Sequence, residues 1–141
     1  MGTVTVDALE TTVHKTHLWL KELMSLGHYL EENQAWSALR SVLHALRDHL
    51  TIDEAAHLSA QLPMLVRGCY YEGWKPSAVP DKHRTREAFY EAVRTNLGNA
   101  SMDPMQAIDA VLQLLDHHVS PGELRTIKSM LPQELRELWP L

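Results

Sequence analysis

Nine histidines and a single cysteine in a chain of 141 residues make imidazole the first side chain to test for chemistry. Glu10, His14 and His17 stand at i, i+4 and i+7, which sets one carboxylate and two imidazoles on one face of a helix. Carboxylate and imidazole groups drawn from facing helices can hold a metal ion. This face, however, is rotated by about a quarter turn or more from the apolar positions Leu9, Val13 and Leu20 of the same segment. The three residues stand as metal candidates, with a solvated polar face as the simpler account, and no cofactor is expected.

Arginine is the next group to weigh. Arg67 and Arg136 each follow a Leu-Pro pair, Leu62-Pro63 and Leu131-Pro132. A guanidinium there can reach carbonyls that the proline frees, or clamp an anionic ligand. The structural use is the simpler, because it explains why the residue occurs twice. His49 and His118 also recur, each just before a helix start, where a cation favours the end of the preceding helix; His117 shares that place. Tyr70, Tyr71 and Trp74 form the densest aromatic cluster. They can seal the core or make a contact surface for a ligand or partner. Cys69 sits in an apolar stretch with no Cys-x-x-Cys partner and reads as a small hydrophobe. There is no phosphate loop, nucleophile elbow or dinucleotide fingerprint.

Composition removes other classes. The net charge is −5, whereas a nucleic-acid partner demands clustered Lys and Arg. Lys82-His83-Arg84-Thr85-Arg86 is the one short basic cluster, and Glu87 follows it at once, so no nucleic-acid partner is expected. No apolar run approaches the roughly 18 residues of a membrane span. Met1 to Asp7 lacks the features of a secretory signal, and the lone cysteine fits a reducing compartment. A cytoplasmic protein without a membrane partner is the expectation.

The elements that must position these groups are helical. Leu39, Val42, Leu43, Leu46 and Leu50 repeat with helical spacing, as do Ile108, Val111, Leu112 and Leu115. Leu9, Val13, Leu20, Leu23 and Met24 give the first helix one apolar face. Ala38–Tyr70 aligns with Ala107–Trp139 without a gap, at an offset of 69 (107 − 38). Val42/Val111, Leu46/Leu115, His49/His118, Glu54/Glu123, Pro63/Pro132 and Arg67/Arg136 are among the identities. The period exceeds that of a solenoid repeat and points to one duplication.

Helix boundaries repeat too. Thr51-Ile52-Asp53-Glu54 and Ser120-Pro121-Gly122-Glu123 read as capping boxes, in which the Glu reaches back to the cap. Asp103 and Asp7…Glu10 start helices in the same style, and Gly27 and Gly98 suit carboxy-terminal caps. Pro63 and Pro132 break the third helix of each unit, near Gln61 in the first. The expectation is an all-α fold of two tandem pseudo-repeats, each a three-helix unit with a proline-split third helix. Unit one spans 1–74, a Pro-containing linker 75–83, and unit two 84–141, the two packing as one domain around Trp36, Trp74, Tyr70 and the leucine stripes.

The run Ala60-Gln61-Leu62-Pro63-Met64-Leu65-Val66-Arg67-Gly68, followed by Tyr70-Tyr71-Glu72-Gly73-Trp74, carries a resemblance. With Ala38–Leu50 and the closing Leu131-Pro132…Leu135-Arg136…Leu138-Trp139-Pro140, the chain resembles a bacterial family catalogued as domain of unknown function number 2267. Cys69 departs from the larger apolar residue that is usual there. The resemblance implies an all-helical bacterial protein and carries no catalytic residue with it.

With no catalytic constellation in view, the leading expectation is a non-enzymatic protein-interaction or scaffold module, a homo-oligomer or a partner-binding protein. The alternative is a small-molecule or metal-binding protein, or an enzyme, with its cleft between the two units and Arg67 and Arg136 pointing into it.

Overall fold

A computed structural model describes residues 6–139. Most of the Met1–Asp7 segment read for a signal, and the closing Pro140, lie outside the described residues. Every regular element among them is helical, so the fold is all-α. The eight α-helices are α1 (Asp7–Gly27), α2 (Glu32–Asp48), α3 (Ile52–Ser59), α4 (Met64–Tyr71), α5 (Arg86–Leu97), α6 (Pro104–His118), α7 (Pro121–Met130) and α8 (Gln133–Arg136). A 3₁₀ turn, Pro76–Ala78, lies in the connection between α4 and α5. None of these helices is long and apolar enough to cross a membrane.

Hydroxyl and carboxylate caps set most of the helix starts. Thr51, Thr85, Asp103 and Ser120 accept the N–H of Glu54, Ala88, Met105 and Glu123, each satisfying a donor that the first turn leaves open. Prolines set the breaks. α3 stops before Pro63 and α7 before Pro132, because the ring has no N–H and crowds the preceding turn.

Three expectations about caps need correction. Asp7 is the first helical residue of α1 rather than its cap, and Val6 occupies the cap position without a side-chain bond. At the other end the left-handed residue is His28, at φ 57°, and not Gly27. Gly27 is buried inside the helix, where a Cβ would collide with the Tyr29 ring. Glu54 and Glu123 do not reach back to their caps: the Ser120 N–H goes instead to Gln61 Oε1 at 3.1 Å.

Helices α2 and α6 lie against each other at the centre. α2 also packs on α1, α4 and α5, while α6 packs on α1 and α5. Their leucine and valine stripes are buried almost completely: Leu39, Val42, Leu43 and Leu46 from α2, and Ile108, Val111, Leu112 and Leu115 from α6. α3 meets α7, and α5 meets α8. Because α1 lies on α6 and α5 on α2, the amino-terminal and carboxy-terminal halves share one core.

The carboxyl end of α2 organises the connection. Arg47, only 5% exposed, donates to the carbonyls of Tyr70 (2.5 Å) and Glu72 (2.6 Å) and to Asp48 Oδ1 (3.1 Å). The Asp81 N–H donates to the Asp48 carbonyl at 2.7 Å. His49 lies within 2.8 Å of the Ala45 carbonyl and 3.1 Å of the His83 carbonyl, one ring nitrogen facing each. His44 donates through Nε2 to the Cys69 carbonyl at 2.7 Å, and burial holds its pKa below the ordinary imidazole value. The last turn of α4 and the start of the connection are thus tied by side chains of α2.

Replacing Arg47 with Met would keep the apolar stem but leave the buried Tyr70 carbonyl and the part-buried Glu72 carbonyl without a donor. A cost of about 3 kcal/mol is expected from two such groups, a fall in Tm of about 10 °C for a domain of this size. Arg47→Lys should recover only part of it, since a single ammonium lacks the second nitrogen that holds Asp48 while Nη1 serves the two carbonyls. Thermal and urea melts check this; a loss below about 1 kcal/mol in Arg47→Met would refute the tie.

Candidate functional site

Two surfaces meet on the first half of α1. The buried positions of this helix are Thr12, Thr16, Trp19, Leu20, Leu23 and Gly27, a helical spacing that faces α2, α4 and α6. Leu9 and Val13 precede Thr12 and Thr16 by three positions and so continue the same stripe toward the amino terminus. They are nevertheless 55% and 44% exposed, and Val6 is 57% exposed. The apolar face expected from Leu9 to Met24 is therefore buried only in its second part.

Thr12 is the hinge between the two surfaces. Its hydroxyl accepts the Leu65 N–H at 3.1 Å, and Thr16 donates to the Thr12 carbonyl at 2.7 Å. Pro63, at the cap position of α4, has no side chain that can accept a hydrogen bond. A threonine 53 positions away does that work instead. Beside it runs a groove of about 660 Å³. Trp19, Leu62, Pro63 and Met64 line it with apolar surface, while Lys15, Arg67 and His118 supply its polar groups.

Arg67 is already engaged: Nε donates to the Ser59 carbonyl at 2.9 Å and Nη2 to the Leu62 carbonyl at 3.2 Å. Both carbonyls lie where α3 ends before the proline, the Ser59 carbonyl accepting the Leu62 N–H as well. Arg136 is exposed on α8 and does not line this groove. The structure does not bring the two arginines into one cavity. Tyr70 is fully buried, with its hydroxyl donating to the Ala55 carbonyl at 2.8 Å. Tyr71 and Trp74 are half-buried, Tyr71 donating to Ser59 Oγ at 2.9 Å. The Tyr70 and Tyr71 rings meet edge to face with centroids 5.2 Å apart, and Tyr71 lies tilted against Trp74 at 5.3 Å. Glu10, His14 and His17 are exposed on α1, and His17 turns to Glu32 at 3.0 Å. Cys69 is buried, and that burial pushes its thiol pKa up, away from nucleophilic use.

One polar cluster was not expected from the sequence. Glu22 of α1 accepts from His117 Nδ1 at 2.6 Å and His118 Nε2 at 2.9 Å, and the His118 ring stacks on Trp19 at 4.6 Å. Burial works against ionisation of Glu22, but bonds and charge from the two imidazoles outweigh it and hold its carboxyl below the usual range. Glu54, His57 and Glu123 form a second unexpected cluster, where α3 meets α7. The first pairs residues about 95 positions apart, beyond the reach of any local motif. The second has its signal in the sequence, the recurrence of a Glu at the offset of 69, which the capping box had absorbed.

The family model described as Uncharacterized conserved protein (DUF2267) matches residues 16–138, and the chain belongs to that family. No curated protein matches it.

The Glu22 cluster docks α1 onto the end of α6, and its contribution has a definite sign with pH. A carboxyl held below its ordinary value of 4.5 stabilises the fold above that pH and loses the effect as pH falls through the folded-state value. Glu22→Gln should therefore lower the melting temperature at pH 7. The gap to the unsubstituted chain should narrow between pH 7 and pH 3 as the carboxyl takes up its proton. A gap of equal size at both pH values would dismiss the ion-pair reading.

Proposed function

We propose that this family member is a non-enzymatic protein-interaction module that assembles with a second copy of itself through the first turns of α1. The observation that carries the reading is the uncovered start of the α1 stripe: Leu9 and Val13 continue a buried face yet stay exposed, as does Val6 at the cap. Apolar side chains in register with a core stripe are the usual material of a helix–helix contact.

The spacing favours a second copy over an unrelated partner. In an antiparallel pair with a twofold axis near position 11, Leu9 of one copy faces Val13 of the other. Glu10 of one copy then flanks His14 of the other, so the Glu10/His14 face becomes the polar rim of the contact. The buried tyrosine and the engaged Arg67 fit the same reading, because they hold the scaffold rather than reach outward.

The chain is read further as two units, 1–74 and 84–141, joined by 75–83. The first helix of each would lie on the second helix of the other, α1 on α6 and α5 on α2. Such an exchange uses the later turns of α1 and leaves its first turns for another molecule.

Sedimentation equilibrium or light scattering on the full chain tests the assembly. A dimer is expected, reduced to monomer by Leu9→Glu with Val13→Glu and weakened by His14→Glu, which sets two carboxylates side by side. Both positions are exposed, so the monomeric variant should melt as a folded protein. A chain that stays monomeric at tens of micromolar, or a dimer indifferent to these substitutions, would refute the proposal.

A further inference from the structure

Glu54 and His57 project from α3, and Glu123 from α7, so that one ligand atom from each lies within 4.8 Å of the others. We propose that these three side chains form a binding site for a divalent first-row transition cation that bridges α3 and α7. The site is independent of the α1 surface.

Three observations carry this. First, Glu54 is only 9% exposed, and its Oε2 is buried with no hydrogen-bond partner among the described residues. Buried carboxylate oxygens are normally satisfied, and an orphan aimed into a cluster of donor atoms calls for a cation. Second, Glu123 Oε1 is buried and without a partner in the same way. Third, both glutamates have left the role their sequence position suggests. Their own N–H groups still donate to Thr51 and Ser120 at 3.3 Å, so the first turns of α3 and α7 are fixed. The side chains, freed from the caps, converge instead.

The donor set narrows the cation. Two carboxylate oxygens and one imidazole nitrogen suit Zn²⁺, Co²⁺ or Mn²⁺, whereas Ca²⁺ and Mg²⁺ prefer oxygen alone. Three protein ligands, with His57 exposed, leave the remaining positions to solvent. The dication would offset the two carboxylate charges and tie α7 to α3 by bonds that neither helix can make alone. Because Glu54 and Glu123 recur at the offset of 69, duplication of one capping segment would supply both oxygen ligands, and His57 would complete the set.

The test is titration of the chelator-stripped full chain with Zn²⁺ by calorimetry, with Co²⁺ as the spectroscopic probe. One Zn²⁺ per chain and a higher melting temperature on binding are expected. Glu123→Gln and His57→Ala should each weaken Zn²⁺ binding by at least about tenfold, the loss that even an outer partner of a metal ligand causes. His57→Ala should also shift the visible Co²⁺ absorption. Glu123→Gln keeps the shape of the side chain and His57 is exposed, so both variants should fold. His14→Ala with His17→Ala, on the far-off α1 surface, should bind as the unsubstituted chain does. Absence of Zn²⁺ uptake at tens of micromolar, or uptake that survives both Glu123→Gln and His57→Ala, would overturn the proposal.

Discussion

The Arg47 guanidinium is the group on which the arrangement turns. A charged side chain that is almost wholly buried must find acceptors or destabilise the fold. Arg47 finds them in the carbonyls of Tyr70 and Glu72, the end of α4 and the beginning of the connection. Without that donor the Tyr70 carbonyl would be left buried and unpaired. The bond therefore fixes the end of α4 against α2. Asp48 and His49, the next two residues, hold the backbone at Asp81 and His83. Three consecutive residues at the end of α2, Arg47, Asp48 and the capping His49, thus tie the stretch that leads back into the core as α5.

That re-entry decides what α1 can do. α5 comes to lie on α2, and α1 lies on α6. Each outer helix thus packs on the second helix of its own half and on that of the other. α1 is 21 residues long, about 30 Å at 1.5 Å per residue, and its buried positions begin only at Thr12. The first turns extend the apolar pattern past the residues that cover it. The groove beside them has the same origin. It opens where the chain is broken at Pro63, between the end of α3 and the start of α4, and Thr12 bridges the far side by accepting from Leu65.

The helical class and the breaks at Pro63 and Pro132 were legible in the sequence because they depend on local chemistry: hydroxyl caps, missing donors and a period of about 3.6. The caps of α3 and α7 were read half correctly. Thr51 and Ser120 accept as expected, but a local pattern cannot tell whether a Glu three positions on will turn back or turn outward. That depends on α3 meeting α7. Gly27 was misread for a related reason. Its glycine is required by the Tyr29 ring, a packing demand, while His28 takes the left-handed residue. The Glu22 cluster could not be read at all, since a carboxylate on α1 and two imidazoles ending α6 share no local signal.

Recurrence in a sequence does not carry a shared environment with it, and the pairs at the offset of 69 separate accordingly. Arg67 is committed to the Ser59 and Leu62 carbonyls, whereas Arg136 is exposed. His49 is buried between two carbonyls, whereas His118 stacks on Trp19 and donates to Glu22. These residues sit where the two halves of the chain have different neighbours, so each adopted a separate role. Glu54 and Glu123 sit where α3 meets α7, helix against its counterpart. There a residue and its copy approach each other, and two like charges accumulate at one place. A single mutation in one half could relieve that repulsion, as a Gln would. Two carboxylates kept together beside an imidazole are costly as bare anions and favourable once a cation lies between them. The same offset that leaves the two arginines in unrelated surroundings brings two carboxylates together at the α3–α7 contact.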